Sequence, residues 1–187
     1  FARAVEDFLD PRRRGGGGSK LANPDRDLAL AAAGLAFLGA GRPHLGATGR
    51  LTGLPIRPER LDATKATLRL GFYPRVEFAR MPRAGSEADF RRWVTTSACI
   101  AMAVQDPERA GHIVAAAIAI GTDIPEGQRR HCILEELVQA MGLPNDACHY
   151  RPWVFCESDR VFELTPADRI LLRTLYDPRL TAGMARD

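Results

Sequence analysis

The stretch between Gly111 and Pro144 constrains the fold of this chain more than any other. His112-Ile-Val-Ala-Ala-Ala-Ile-Ala-Ile120 is a continuous apolar run held between Gly111 and Gly121, which suits a strand inside a sheet. Pro125 then opens a helix. Gly142-Leu-Pro144 closes it, with glycine as the C-terminal cap and proline beyond. Within that helix Ile133, Leu134, Leu137, Val138 and Met141 form one apolar stripe at helical spacing, a face that has to be buried against a core. The expected fold class is α+β: a small mixed sheet packed on a central helix running from Pro125 to Met141.

Other segments fill in around this pair. Residues 66–73 alternate Leu68, Leu70 and Phe72 on one face, the pattern of a half-buried strand, and residues 75–79 read as a second extended piece. Ser86 followed by Asp89 resembles a capping box and introduces a helix through Phe90, Trp93 and Val94. Thr165 and Asp168 repeat that signal ahead of a C-terminal helix whose apolar face is Ile170, Leu171, Leu172 and Leu175. Residues 143–163 read as irregular.

Additional helices are expected toward the N-terminus. Asn23-Pro-Asp25 starts one that continues through the Ala/Leu-rich segment to Gly39 or Gly41, whereas residues 42–64, rich in glycine and proline, read as loop. Phe1, Val5, Phe8 and Leu9 are spaced as a short amphipathic helix ended by Pro11. The run from Gly15 to Ser19 is a flexible linker of a kind also used in engineered chains, and no function is read into it. Three segments result: residues 1–22 (helix and linker), 23–64 (helix and irregular loop) and 65–187 (the principal domain). The chain opens on Phe1, which is compatible with removal of an upstream export signal.

Charge and motif content exclude several classes. The 26 basic residues exceed the 23 acidic ones by three, and Arg12-Arg-Arg14 is the one dense basic patch, so no extended nucleic-acid surface is expected. The segment from Leu28 to Ala40 is too short to span a bilayer, so no transmembrane span is expected. No Cys-x-x-Cys pair and no Gly-x-Ser-x-Gly elbow occurs, and Gly15 to Gly18 lacks the Gly-Lys-Ser/Thr continuation of a phosphate loop.

The polar side of the central helix has a distinctive spacing. A zincin metalloprotease helix carries His-Glu-x-x-His and, in the metzincin branch, continues with x-x-Gly-x-x-His or Asp. Here Glu135 and Gln139 stand at the histidine positions, Glu136 at the general base, Gly142 at the glycine and Asn145 at the third ligand. Zinc prefers nitrogen and sulfur, and this set offers only oxygens, two of them on neutral amides, so no metal is expected there and no cofactor. Calcium or magnesium would be held weakly. The plain alternative is a solvated helix face, since Glu and Gln are good helix formers anyway. His131 and Glu135 are also four apart and could begin a metal site with His149 as third ligand, although a surface or capping histidine is the commoner case.

From about Ala66 to Met184 the chain resembles a bacterial exported family known as domain of unknown function 2927. The resemblance is most specific at Glu135-Glu-x-x-Gln-x-x-Gly-Leu-Pro-Asn-Asp146 and at Leu175-Tyr-Asp-Pro-Arg179. That family is similar to the zincin-like peptidase group in degenerate form. The resemblance implies a sheet on one side, the Glu135 helix beneath it, and a C-terminal helix followed by a turn. It also implies that Met184 sits where metzincins place a methionine under the metal. It brings no established activity.

The four cysteines permit two disulfides. Cys148 and Cys156 lie close together in an irregular segment, where a bridge closes a short loop. Cys99 and Cys132 can meet at one end of the sheet. Four buried free thiols are the alternative. The leading functional expectation is a non-catalytic, zincin-like binding or accessory domain of the bacterial cell envelope, periplasmic or otherwise exported, with a protein partner. The first alternative is a metallohydrolase or peptidase with an atypical metal site and Glu136 as general base. Without a Lewis acid, however, amide hydrolysis loses roughly several kcal/mol of transition-state stabilisation. The second alternative is a structural subunit of a larger membrane-associated assembly, docking through the helix from Leu28 and the linker.

Overall fold

A computed structural model describes residues 29–33, 38–54, 56–59, 68–80, 87–109, 111–182 and 184. The helix expected between Phe1 and Leu9, the linker after it and the Ser86–Asp89 capping box lie outside the described residues. Among the described residues five strands form one sheet: Ala29–Ala33 (β1), Arg57–Glu59 (β2), Leu68–Tyr73 (β3), Cys99–Gln105 (β4) and Ile113–Gly121 (β5). Four α-helices accompany them among the described residues: Leu38–Thr52 (α1), Glu87–Thr96 (α2), Glu126–Ala140 (α3) and Pro166–Leu175 (α4). The strand order is β2-β1-β3-β5-β4. β1, β2, β3 and β5 run parallel, while β4 is antiparallel to β5 and stands at the edge. The fold is α+β with a mixed sheet.

The uninterrupted apolar character of β5 follows from its position. Ile118 and Ile120 join Leu68, Leu70 and the α3 residues Ile133, Leu134, Leu137 and Val138 in the main core. Ala119, pointing the other way, joins Phe78, Phe90, Val94 and Ile100 in a second core on the opposite face. A strand covered on both faces has no use for alternating polar residues. The helix over α3 is as expected, and Gly142 ends it: its φ of 112° is left-handed, and the N–H groups of Gly142 and Leu143 both reach the Gln139 carbonyl.

The N-terminal expectations need correction. Ala29–Ala33, expected as helix, is a strand paired with both β2 and β3, and the helix lies at Leu38–Thr52, largely where loop was expected. Alanine runs carry no period that separates strand from helix, and α1 tolerates Gly46, Gly49 and Pro43 because it is set by contact with α3 and α4 rather than by propensity. Leu45, Thr48 and Thr52 are buried in that contact, and Gly53, at a φ of 74°, terminates the helix. The boundary expected at residue 64 thus cuts through a single sheet. Residues 75–79 are not extended either: Arg75–Arg80 is a 3-10 helix begun by the Glu77 N–H bond to Pro74 O. Val76 and Phe78 are two apart, as on one face of a strand, but here the first is exposed and the second buried.

The C-terminal part closes over α3. Both disulfides, Cys99–Cys132 and Cys148–Cys156, are formed, with Cα–Cα distances of 5.9 and 4.8 Å. The irregular residues 143–163 are not a surface loop throughout, because Trp153, Val154 and Phe155 are fully buried among core residues. Asp168 fixes them to α4. Its carboxylate accepts from Thr165 N at 2.7 Å and from Val154 N at 3.2 Å, while Thr165 Oγ1 accepts from Asp168 N. Leu171, Leu172 and Leu175 are buried as expected, whereas Ile170 is half exposed on the outer side of α4. Tyr176 Oη donates to Met141 O at 2.9 Å, tying the end of α4 to the end of α3.

Candidate functional site

The polar side of α3 is not solvated. Glu135 and Glu136 are each 5% exposed, and His131 is completely buried. The apolar stripe holds α3 against the sheet, the Cys99–Cys132 bridge pins its first half to β4, and residues 143–163 lie over its remaining face. The contacts of that cover are specific. His131 Nδ1 meets Val161 O at 3.0 Å, Gln128 Nε2 donates to Glu157 Oε1 at 2.8 Å, and Gln139 Nε2 donates to Asp146 Oδ1 at 2.6 Å. The reading of these residues as a solvated helix face is therefore wrong for Glu135 and Glu136.

Burial dictates their charge state. Loss of hydration pushes the Glu135 carboxyl up to about 8, and the nearby carboxylates of Asp146 and Glu157 add to the shift. Glu136 moves the same way, driven first by burial and then by Glu135, Asp146 and Glu157. At both positions burial thus favours the neutral acid over the carboxylate. Glu136 Oε2 is buried with no hydrogen-bond partner among the described residues. His131 Nε2 is buried as well, standing 3.4 Å from Glu135 Oε2 without hydrogen-bond geometry.

The positions singled out by spacing do not assemble into a zinc site. Glu135 is buried, Gln139 is half-buried with its amide committed to Asp146, and Asn145 is half-buried in the turn after α3. Their donors are oxygens, so the set does not fit zinc. His149 is exposed in the loop. Met184 is 48% exposed beyond the turns that follow α4, not buried beneath the helix. What the structure does bring together is different: Cys99 Sγ and a carboxyl oxygen from each of Glu135 and Glu136 lie within 4.8 Å of one another. Spacing along one helix could not reveal this cluster, because Cys99 comes from β4, a strand that sequence reasoning missed although Ile100, Met102 and Val104 alternate within it.

These features define a disulfide-linked α+β domain built around a buried acidic helix. The chain matches the family described as "Protein of unknown function (DUF2927)" over residues 39–187, and it belongs to that family. No curated protein and no solved structure matches it. Among the described residues no helix is long and apolar enough to cross a membrane.

Proposed function

We propose that this chain is a zincin-like domain of the bacterial cell envelope that binds a protein partner and does not cleave it. The observation that carries the reading is the burial of Glu135 and Glu136. A general base has to be ionised and within reach of a water molecule, whereas Glu136 is buried and its burial disfavours the charged form. The zincin-like part is supported by α3 following the inner strand β5 directly, with the Glu135-x-x-x-Gln139 spacing on the side of α3 linked to the antiparallel edge strand β4. Two disulfides support an oxidising compartment.

Binding is assigned to β4. Among the described residues this strand pairs only with β5, so its outer backbone groups can accept an extended segment of a partner by strand addition. Val104, 55% exposed, marks that edge. The test joins two measurements on protein isolated without reductant. Peptide hydrolysis and zinc content are both expected at background, and a photo-crosslinker placed at Val104 in cells is expected to capture one defined protein. Hydrolysis that disappears in Glu136→Gln, or stoichiometric zinc, refutes the non-catalytic part. Failure to crosslink at Val104 and at its neighbour Ala103 refutes the binding part.

A further inference from the structure

The Cys99–Cys132 bridge adjoins the buried glutamates, and that juxtaposition gives it a second role. Cys99 Sγ lies within 4.8 Å of carboxyl oxygens of both Glu135 and Glu136, and Cys132 Sγ is bonded to it. One sulfur and two carboxyl oxygens thus face one another, and the second sulfur is one bond away, on two elements held by the core. In the oxidised protein the sulfurs are spent on each other, and Glu136 Oε2, on a residue 5% exposed, has no hydrogen-bond partner among the described residues. A buried carboxyl that lies beside a disulfide sulfur and leaves one oxygen unpartnered is hard to explain as packing, since burying an unpartnered polar atom costs free energy that an apolar residue would avoid.

We propose that reduction of Cys99–Cys132 converts this cluster into a buried site for a borderline divalent cation of the zinc class, held by the two thiolates together with Glu135 and Glu136. Four donors of this kind match the tetrahedral sulfur-and-oxygen coordination that zinc accepts. Reduction requires a dithiol. Its thiolate attacks the sulfur of Cys99, the less buried of the two residues, to form a mixed disulfide and release the Cys132 thiolate. The second thiol of the reductant then attacks its own mixed-disulfide sulfur, becomes a cyclic disulfide and releases Cys99. Two electrons and two protons pass from the dithiol to the protein. Cation binding afterwards expels protons from the thiols and carboxyls, so uptake strengthens as pH rises. The site differs from the Glu135, Gln139 and Asn145 set and is closed in the oxidised envelope form, so it stands or falls separately from the proposed function.

The full chain is reduced with a dithiol, freed of it by gel filtration without oxygen, and titrated with cobalt(II) alone. One equivalent is expected to give the intense thiolate-to-cobalt absorption, while unreduced protein gives none. The signal should persist in Cys148→Ser/Cys156→Ser, and Glu135→Gln/Glu136→Gln should weaken uptake at least tenfold. Those two glutamine substitutions keep side-chain shape and replace buried neutral acids by neutral amides, and folding is checked by circular dichroism. Signal from unreduced protein, its loss in Cys148→Ser/Cys156→Ser, full uptake in the glutamine variant, or no uptake by reduced protein would each overturn the proposal.

Discussion

Replacing Glu135 by glutamine is the cleanest test of the electrostatics at α3. The folded chain holds the Glu135 proton up to about pH 8, whereas the unfolded chain releases it near the ordinary value of 4.5. Between those limits the folded state binds one more proton than the unfolded state. Stability contributed by the neutral acid is therefore complete below the lower value and falls as pH rises, by about 1.4 kcal/mol per unit. At neutral pH the loss amounts to about 3 kcal/mol, and Glu136, shifted in the same direction, steepens the slope. Glu135→Gln is neutral at every pH and close in shape. It should match the parent at about pH 4 and exceed it by about 3 kcal/mol at neutral pH. Urea unfolding with disulfides intact, repeated across that range, measures both. Parallel pH profiles for the two proteins, or a variant less stable at neutral pH, would show that Glu135 is ionised in the fold.

Three further outcomes are expected. Asp168→Ala removes the capping box and leaves Val154 N–H without its acceptor, which should cost about 2–3 kcal/mol in urea unfolding; Asp168→Asn should recover part of it. Cys148→Ser/Cys156→Ser opens a bridge spanning eight residues and should lower stability by about 2–3 kcal/mol, seen as a lower unfolding midpoint. Protein isolated without reductant should show no alkylatable thiol before denaturation and reduction, and four afterwards.

Legibility in the sequence depended on how local each cause was. The α3 boundaries, the Thr165–Asp168 capping box and the β5 run were readable because caps, glycines and apolar runs act over a few residues. The swap of strand and helix around Ala29–Ala33 was not, because pairing with β3 and contact with α3 and α4 decide it, and neither partner is near in the chain. At the site, spacing drew attention to Glu135 and Glu136. Their burial was hidden, since α3 is tied to parts of the chain that spacing along one helix does not show, β4 through the Cys99–Cys132 bridge and the loop after α3 through Asp146, Glu157 and Val161.

The sheet order also dictates a folding sequence. β4 and β5 are consecutive and antiparallel, so their pairing closes a short loop, whereas β3–β5 and β1–β3 join strands separated by whole helices or irregular segments. Loop-closure entropy makes the hairpin the early event, with α3 docking on it and Cys132 arriving beside Cys99, while β3, β1 and β2 add later in order of position. Until β3 arrives, the other edge of β5, made of alanine and isoleucine without a single charge, is an unpaired template for other chains. The same run of residues that makes this fold recognisable is its point of greatest exposure to aggregation while it forms.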